Sequence, residues 1–174
     1  FINKVLRDKT DKPKYYGLNK YRKKISRSNT IIDTVDFGSG AGNKEYISYH
    51  ETVGKLVRGR SHSKKRLEVL FRISEYFKPK QMLEFGTAVG LSSLYLKRAN
   101  PDGKLITMEG CAGLANVAAK GFKIFHMEDI QIVIGNFNYL LPDTIKDIET
   151  LDLVFFDGNH QLEPTLNYFE QCVA

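Results

Sequence analysis

Two acids and two glycines at fixed spacing are the first residues that could do chemistry: Glu84, Gly86, Gly90 and, further on, Glu109. A glycine has no Cβ to keep backbone and ligand apart, so Gly86 and Gly90 permit a sharp turn and a close approach. Glu109 closes a second apolar run, 25 positions after Glu84. A carboxylate at the end of a second strand can accept hydrogen bonds from both ribose hydroxyls of a nucleoside. It could also serve only as negative charge at a helix N-terminus. The glycine loop before it favours the nucleoside. A dinucleotide loop would want glycines at 86, 88 and 91, and the chain has Gly86, Ala88 and Leu91, which weakens a nicotinamide reading.

Strands must carry these residues to one edge. Gln81–Phe85 reads as a buried strand, followed by the glycine turn and a helix capped by Ser92 or Ser93 that carries Leu94, Tyr95 and Leu96. Upstream, Leu67, Leu70, Phe71, Ser74 and Phe77 follow helical spacing over 63–77, and Pro79 stops the run. Asn100-Pro101-Asp102-Gly103 predicts a turn. A second strand over 104–110, a helix over 112–120 closed by Gly121 and a third strand over 130–136 follow. Asn136 and Phe137 could hydrogen-bond and stack on a base, or be turn and core; both readings stand. A short helix is expected after Pro142. The fourth strand, 151–157, is apolar on both faces as a buried parallel strand is, and Glu163-Pro164 opens a last helix.

In order, Glu84-Phe85-Gly86-Thr87-Ala88-Val89-Gly90, Thr107-Met108-Glu109-Gly110, Ile134-Gly135-Asn136 and Leu153-Val154-Phe155-Phe156-Asp157-Gly158-Asn159-His160 resemble the class I S-adenosylmethionine-dependent methyltransferases. Within that class they resemble the small-molecule O-methyltransferases related to catechol O-methyltransferase, over about residues 65–174. The resemblance implies an α/β, Rossmann-like, doubly wound parallel sheet. It implies S-adenosyl-L-methionine as cofactor, held by Glu84, Gly86, Thr87, Gly90, Glu109, Gly110, Asn136, Phe137 and Asp157. It puts Asp157 at the methyl-transfer centre, where relatives often use the acid as ligand to a divalent metal such as Mg. His160 falls where such enzymes often place the base that takes the acceptor's proton, and histidine, titrating near ~6.5, suits that work. His50, His62 and His126 have no convergent partners in the sequence and read as surface residues. The family sheet has seven strands, so the expectation here is a sheet truncated after the fourth. Leu166, Phe169 and Val173 would then lie uncovered on the last helix.

Charge divides the chain. Residues 1–66 hold 17 Lys and Arg against 6 Asp and Glu, while residues 67–174 hold 9 against 14. The basic part, 1–62, reads as an N-terminal extension, chiefly a solvated arm that Tyr15 and Tyr16 could anchor, ahead of a cofactor-binding domain over 63–174. Asp36-x-Gly38-x-Gly40-x-Gly42 mimics a cofactor loop, but no strand follows at 55–60, so 36–43 is expected to be a flexible loop over the active site. The function expected is O-methylation of a small hydroxylated molecule. The alternatives are RNA methylation using the basic arm and a non-catalytic nucleotide-binding domain. No apolar run approaches the ~20 residues of a membrane span. Cys111 and Cys172 form no CxxC pair, so a reducing, cytoplasmic location is expected. A small-molecule acceptor is the expected partner; nucleic acid ranks below it, and a homo-oligomer is allowed.

Overall fold

The computed structural model describes residues 1–8, 13–38 and 44–174. After one π-helical turn, Ile2–Leu6, come α1 (Pro13–Ile25), β1 (Ile31–Asp36), β2 (Ile47–Thr52), α2 (Val53–Arg60) and α3 (Lys64–Phe77). The remainder alternates: β3 (Gln81–Phe85), α4 (Leu91–Ala99), β4 (Lys104–Glu109), α5 (Ala112–Ile124), β5 (Gln131–Ile134), α6 (Phe137–Ile145), β6 (Leu153–Phe156) and α7 (Leu162–Val173). Strands β5, β4, β3 and β6 lie side by side in that order, all parallel. Strands β1 and β2 pair antiparallel in a separate hairpin.

Side-chain alternation along β3 explains the layers, because successive Cβ atoms point to opposite faces of a sheet. Met82 packs with Leu67, Phe71, Leu94, Leu96 and Phe122 on one face. Leu83 and Phe85 pack with Leu141 and Tyr168 on the other. Phe85 stacks on Phe156 and Tyr168, with ring centroids 4.9 Å and 5.2 Å away. At about 1.5–3 kcal/mol for each large apolar side chain fully buried, these two layers hold the strand ends in register.

The basic leader is not a free arm. Tyr15, Leu18 and Tyr21 of α1 and Val53, Leu56 and Val57 of α2 belong to the same apolar cluster as Leu67, Phe71, Leu94 and Tyr95. Tyr15 meets Phe71 edge-on at 4.7 Å, whereas Tyr16 is exposed. The lysines and arginines of α1 therefore decorate the outer side of a docked helix.

Strands β5 and β6 are shorter than expected, and three helix boundaries differ. Helix α4 starts at Leu91 with Gly90 as its cap, so Ser92 and Ser93 lie inside its first turn. Gly121 sits within α5 against the Tyr21 ring, and the helix runs on to Ile124. Helix α6 begins at Phe137, capped by the Asn136 side chain accepting from Asn138 N at 3.0 Å, and tolerates Pro142 inside. On α7, Leu166, Phe169 and Val173 are exposed, as expected.

Candidate functional site

The carboxyl ends of the parallel strands open onto a cavity of about 480 Å³, within the ~300–1,000 Å³ usual for small-molecule sites. Gly86 and Ala88 line it after β3, Glu109 and Gly110 after β4, Gly135, Asn136 and Phe137 after β5, and Asp157 to His160 after β6. Four strand ends thus converge, as the topology of an open parallel sheet dictates. Gly86, at φ +93°, crosses so close to the β6 end that an added Cβ would stand 2.5 Å from the Asp157 carbonyl oxygen. No other residue fits there.

Glu109 is the pivot. It is 8% exposed, and its carboxylate accepts from Ala88 N at 2.7 Å through one oxygen and from Cys111 N at 2.9 Å through the other. One side chain therefore ties the glycine loop to the start of α5. Burial raises its pKa, while those backbone donors and the nearby Arg60 guanidinium work the other way. Ala88 itself takes the left-handed backbone, φ 46°, which aims its N–H at Glu109.

Three residues expected to hold the cofactor lie off the cavity wall. Glu84 is fully buried beneath α4, where it accepts hydrogen bonds from Ser93 and, at 2.7 Å, from Thr107. It faces the helix layer because it shares the Met82 side of β3, and burial raises its pKa. The Thr87 hydroxyl is spent on Thr107, 2.6 Å away. Gly90 abuts Phe122 and Ala118 of α5. All three shape the loop from below rather than line the site. Phe137 does line the cavity, but its ring also packs against Phe85 and Tyr168, with centroids at 5.7 Å and 6.0 Å. His160 is exposed with φ 53°, at the rim.

Other wall residues come from ahead of β3. Val35, Asp36, Phe37 and Gly38 from the end of β1, and Gly59 and Arg60 from the end of α2, complete the cavity. Arg60 reaches Asp36 at 3.2 Å and also bonds the Tyr49 hydroxyl, pinning the hairpin to α2. His62, expected at the surface, is half-buried with Nε2 2.9 Å from an Asp157 carboxylate oxygen, and that partner raises its pKa above the usual histidine value. The expected cover loop lines the cavity as far as Gly38, and its residues 39–43 lie outside those described. The available signal was two β-prone runs, 31–36 and 47–52, flanking a glycine-rich stretch, which is how a hairpin reads.

Among the described residues no three His, Cys, Asp or Glu side chains converge as a metal site. Asp157 has His62 as its close ionisable partner. The described residues hold no such cluster at Asp157, where the resemblance allowed a metal. Among them, too, no helix is long and apolar enough to cross a membrane.

A family model described as a methyltransferase domain matches residues 83–174. The chain belongs to that family. Among solved structures it is similar to the O-methyltransferase TomG from Streptomyces achromogenes, involved in tomaymycin synthesis and solved in complex with SAM. The two share 28% identity at a TM-score of 0.59, over 66% of this chain and 52% of that one. The SAH-bound methyltransferase PaMTH1 from Podospora anserina aligns at 20% identity and TM-score 0.58, over 64% and 47%. An O-methyltransferase from Bacillus cereus in complex with SAH aligns at 16% and 0.62, over 99% and 64%. The last two establish the fold, the Rossmann-like parallel sheet of the methyltransferases. The chain spans about half the length of the first two.

Proposed function

We propose that this chain binds S-adenosylmethionine in the strand-end cavity and forms the cofactor half of an enzyme that methylates a hydroxyl of a small molecule. The observation that carries the reading is Glu109, an acid buried at the second strand end and held open to the cavity by two backbone N–H donors. Ribose presents two adjacent hydroxyl donors, and each Glu109 oxygen retains a lone pair after accepting its backbone N–H. The family match and the SAM-bound TomG relative support the same cofactor.

When bound, the cofactor supplies an electrophilic methyl on a sulfonium. The chain's own task is placement and proton removal. Glu109 fixes the nucleoside, Gly86 lets the backbone approach, and Gly110 and Asn136 flank the β4 and β5 ends where a base would lie. Asp157, anchored by His62, presents a carboxylate to the cavity near the methyl-transfer end. His160 at the rim is the candidate base for the acceptor hydroxyl, and alignment of that hydroxyl with the methyl supplies most of the acceleration. The acidic lining of Asp36, Glu109 and Asp157 against Arg60 suits a cationic ligand.

Calorimetry with S-adenosylmethionine and S-adenosylhomocysteine tests the reading. Wild type should bind both, and Glu109→Ala should weaken both by about tenfold or more, since a buried hydrogen bond to a charged group contributes about 1.5–3 kcal/mol. Equal affinity in the variant would remove Glu109 from the site and the reading with it.

A further inference from the structure

The acid at the end of β4 is followed by Gly110, which has no side chain to offer a nucleobase beside Glu109. Phe37 occupies that place. A Cβ added at Gly110 would stand 2.8 Å from Phe37 Cδ2 and 3.4 Å from its Cε2, so an edge of the ring abuts the glycine. Both residues line the cavity. The ring is held from behind by Tyr46, at a centroid distance of 5.8 Å. Its backbone is fixed on each side, by Asp36 bonded to Arg60 and by Gly38 N donating to the Asp36 carboxylate at 2.8 Å. Asn136 reaches the same corner, because Gly135 N donates to Glu109 O at 2.9 Å and so draws the β5 end against the β4 end.

We propose that Phe37, brought in by the N-terminal hairpin from outside the matched methyltransferase domain, is the aromatic face against which the adenine of the cofactor stacks. The inference rests on the cofactor reading above and adds to it the residue that recognises the base. It also displaces Phe137, whose ring is committed to Phe85 and Tyr168 at the Gly158 end of the cavity. With Phe37 over the base, Asn136 has its carbonyl engaged in capping α6 and its amide nitrogen to offer the base edge. The hairpin thereby becomes part of the binding site, and Arg60 keeps it in place.

Calorimetric titration with S-adenosylhomocysteine and with adenosine, on the full chain, separates this from its alternatives. Phe37→Ala should weaken both ligands by about fivefold or more, the range for loss of one base–aromatic stack, and Phe37→Tyr should stay within about threefold of wild type. Phe37→Leu keeps apolar volume without a π face and should lose affinity like the alanine variant, which covers the case in which Phe37→Ala fails to fold. Thermal midpoints of the ligand-free Leu and Tyr variants should agree, so that affinity and folding separate. Wild-type affinity in Phe37→Leu would overturn the inference while leaving the cofactor reading intact. Equal losses in the Tyr and Leu variants would also overturn it, because the ring would then not be what matters. A wild-type chain that binds neither ligand would overturn both.

Discussion

At the scale of single residues, the site is governed by carboxylates whose partners differ. Glu84 is buried among hydroxyls, Glu109 among backbone N–H donors, and Asp157 faces His62. The last arrangement pairs the acid with a histidine. The pKa of His62 is raised chiefly by Asp157, so its charged form is favoured more in the folded than in the unfolded chain. A raised folded value means the stabilisation is complete below the unfolded histidine value of ~6.5 and is lost as pH rises through the folded value. Chemical denaturation from pH 6 upwards should therefore show wild type losing stability relative to His62→Gln across that interval. A constant difference between the two would show that the pair carries no such coupling. Glu109 was legible from its spacing to Glu84. His62 was not, because its partner lies at the far end of the chain and no local pattern marks the pair.

At the scale of elements, the parallel strands were readable because each combines an apolar run with a turn signal, and each strand ends where a site residue begins. What escaped was decided by packing between elements. Gly121 resembles a helix stop, yet the Tyr21 ring occupies the space a side chain would need, and α5 continues. Pro142 resembles a helix start, yet Asn136 caps α6 earlier and the proline falls inside it. Basic α1 reads as solvated by composition, but its Tyr15, Leu18 and Tyr21 stripe docks it on helices α3 and α4. Tyr15 is 1% exposed and touches both Phe71 and Tyr95. Tyr15→Ala should cost about 3–5 kcal/mol in denaturant unfolding, the range for truncating a buried aromatic. A free arm would show no measurable change.

At the scale of the whole molecule, the cavity has two walls of different origin. The parallel sheet provides one, built from strand ends within residues 83–174, the span of the family match. The hairpin and α2 provide the other, joined to the first by Phe37 against Gly110, Arg60 beside Glu109, and His62 against Asp157. The first wall is visible in the sequence because its chemistry is local to each strand end. The second depends on contacts between distant residues, for which one sequence offers no periodic signal. On the proposed function, a nucleoside lies between these walls with its ribose on Glu109. A crystal structure of the chain grown with S-adenosylhomocysteine tests it most directly. The predicted result is both ribose hydroxyls within hydrogen-bond distance of the Glu109 carboxylate. A ligand bound elsewhere, or a ribose turned away from Glu109, would contradict it.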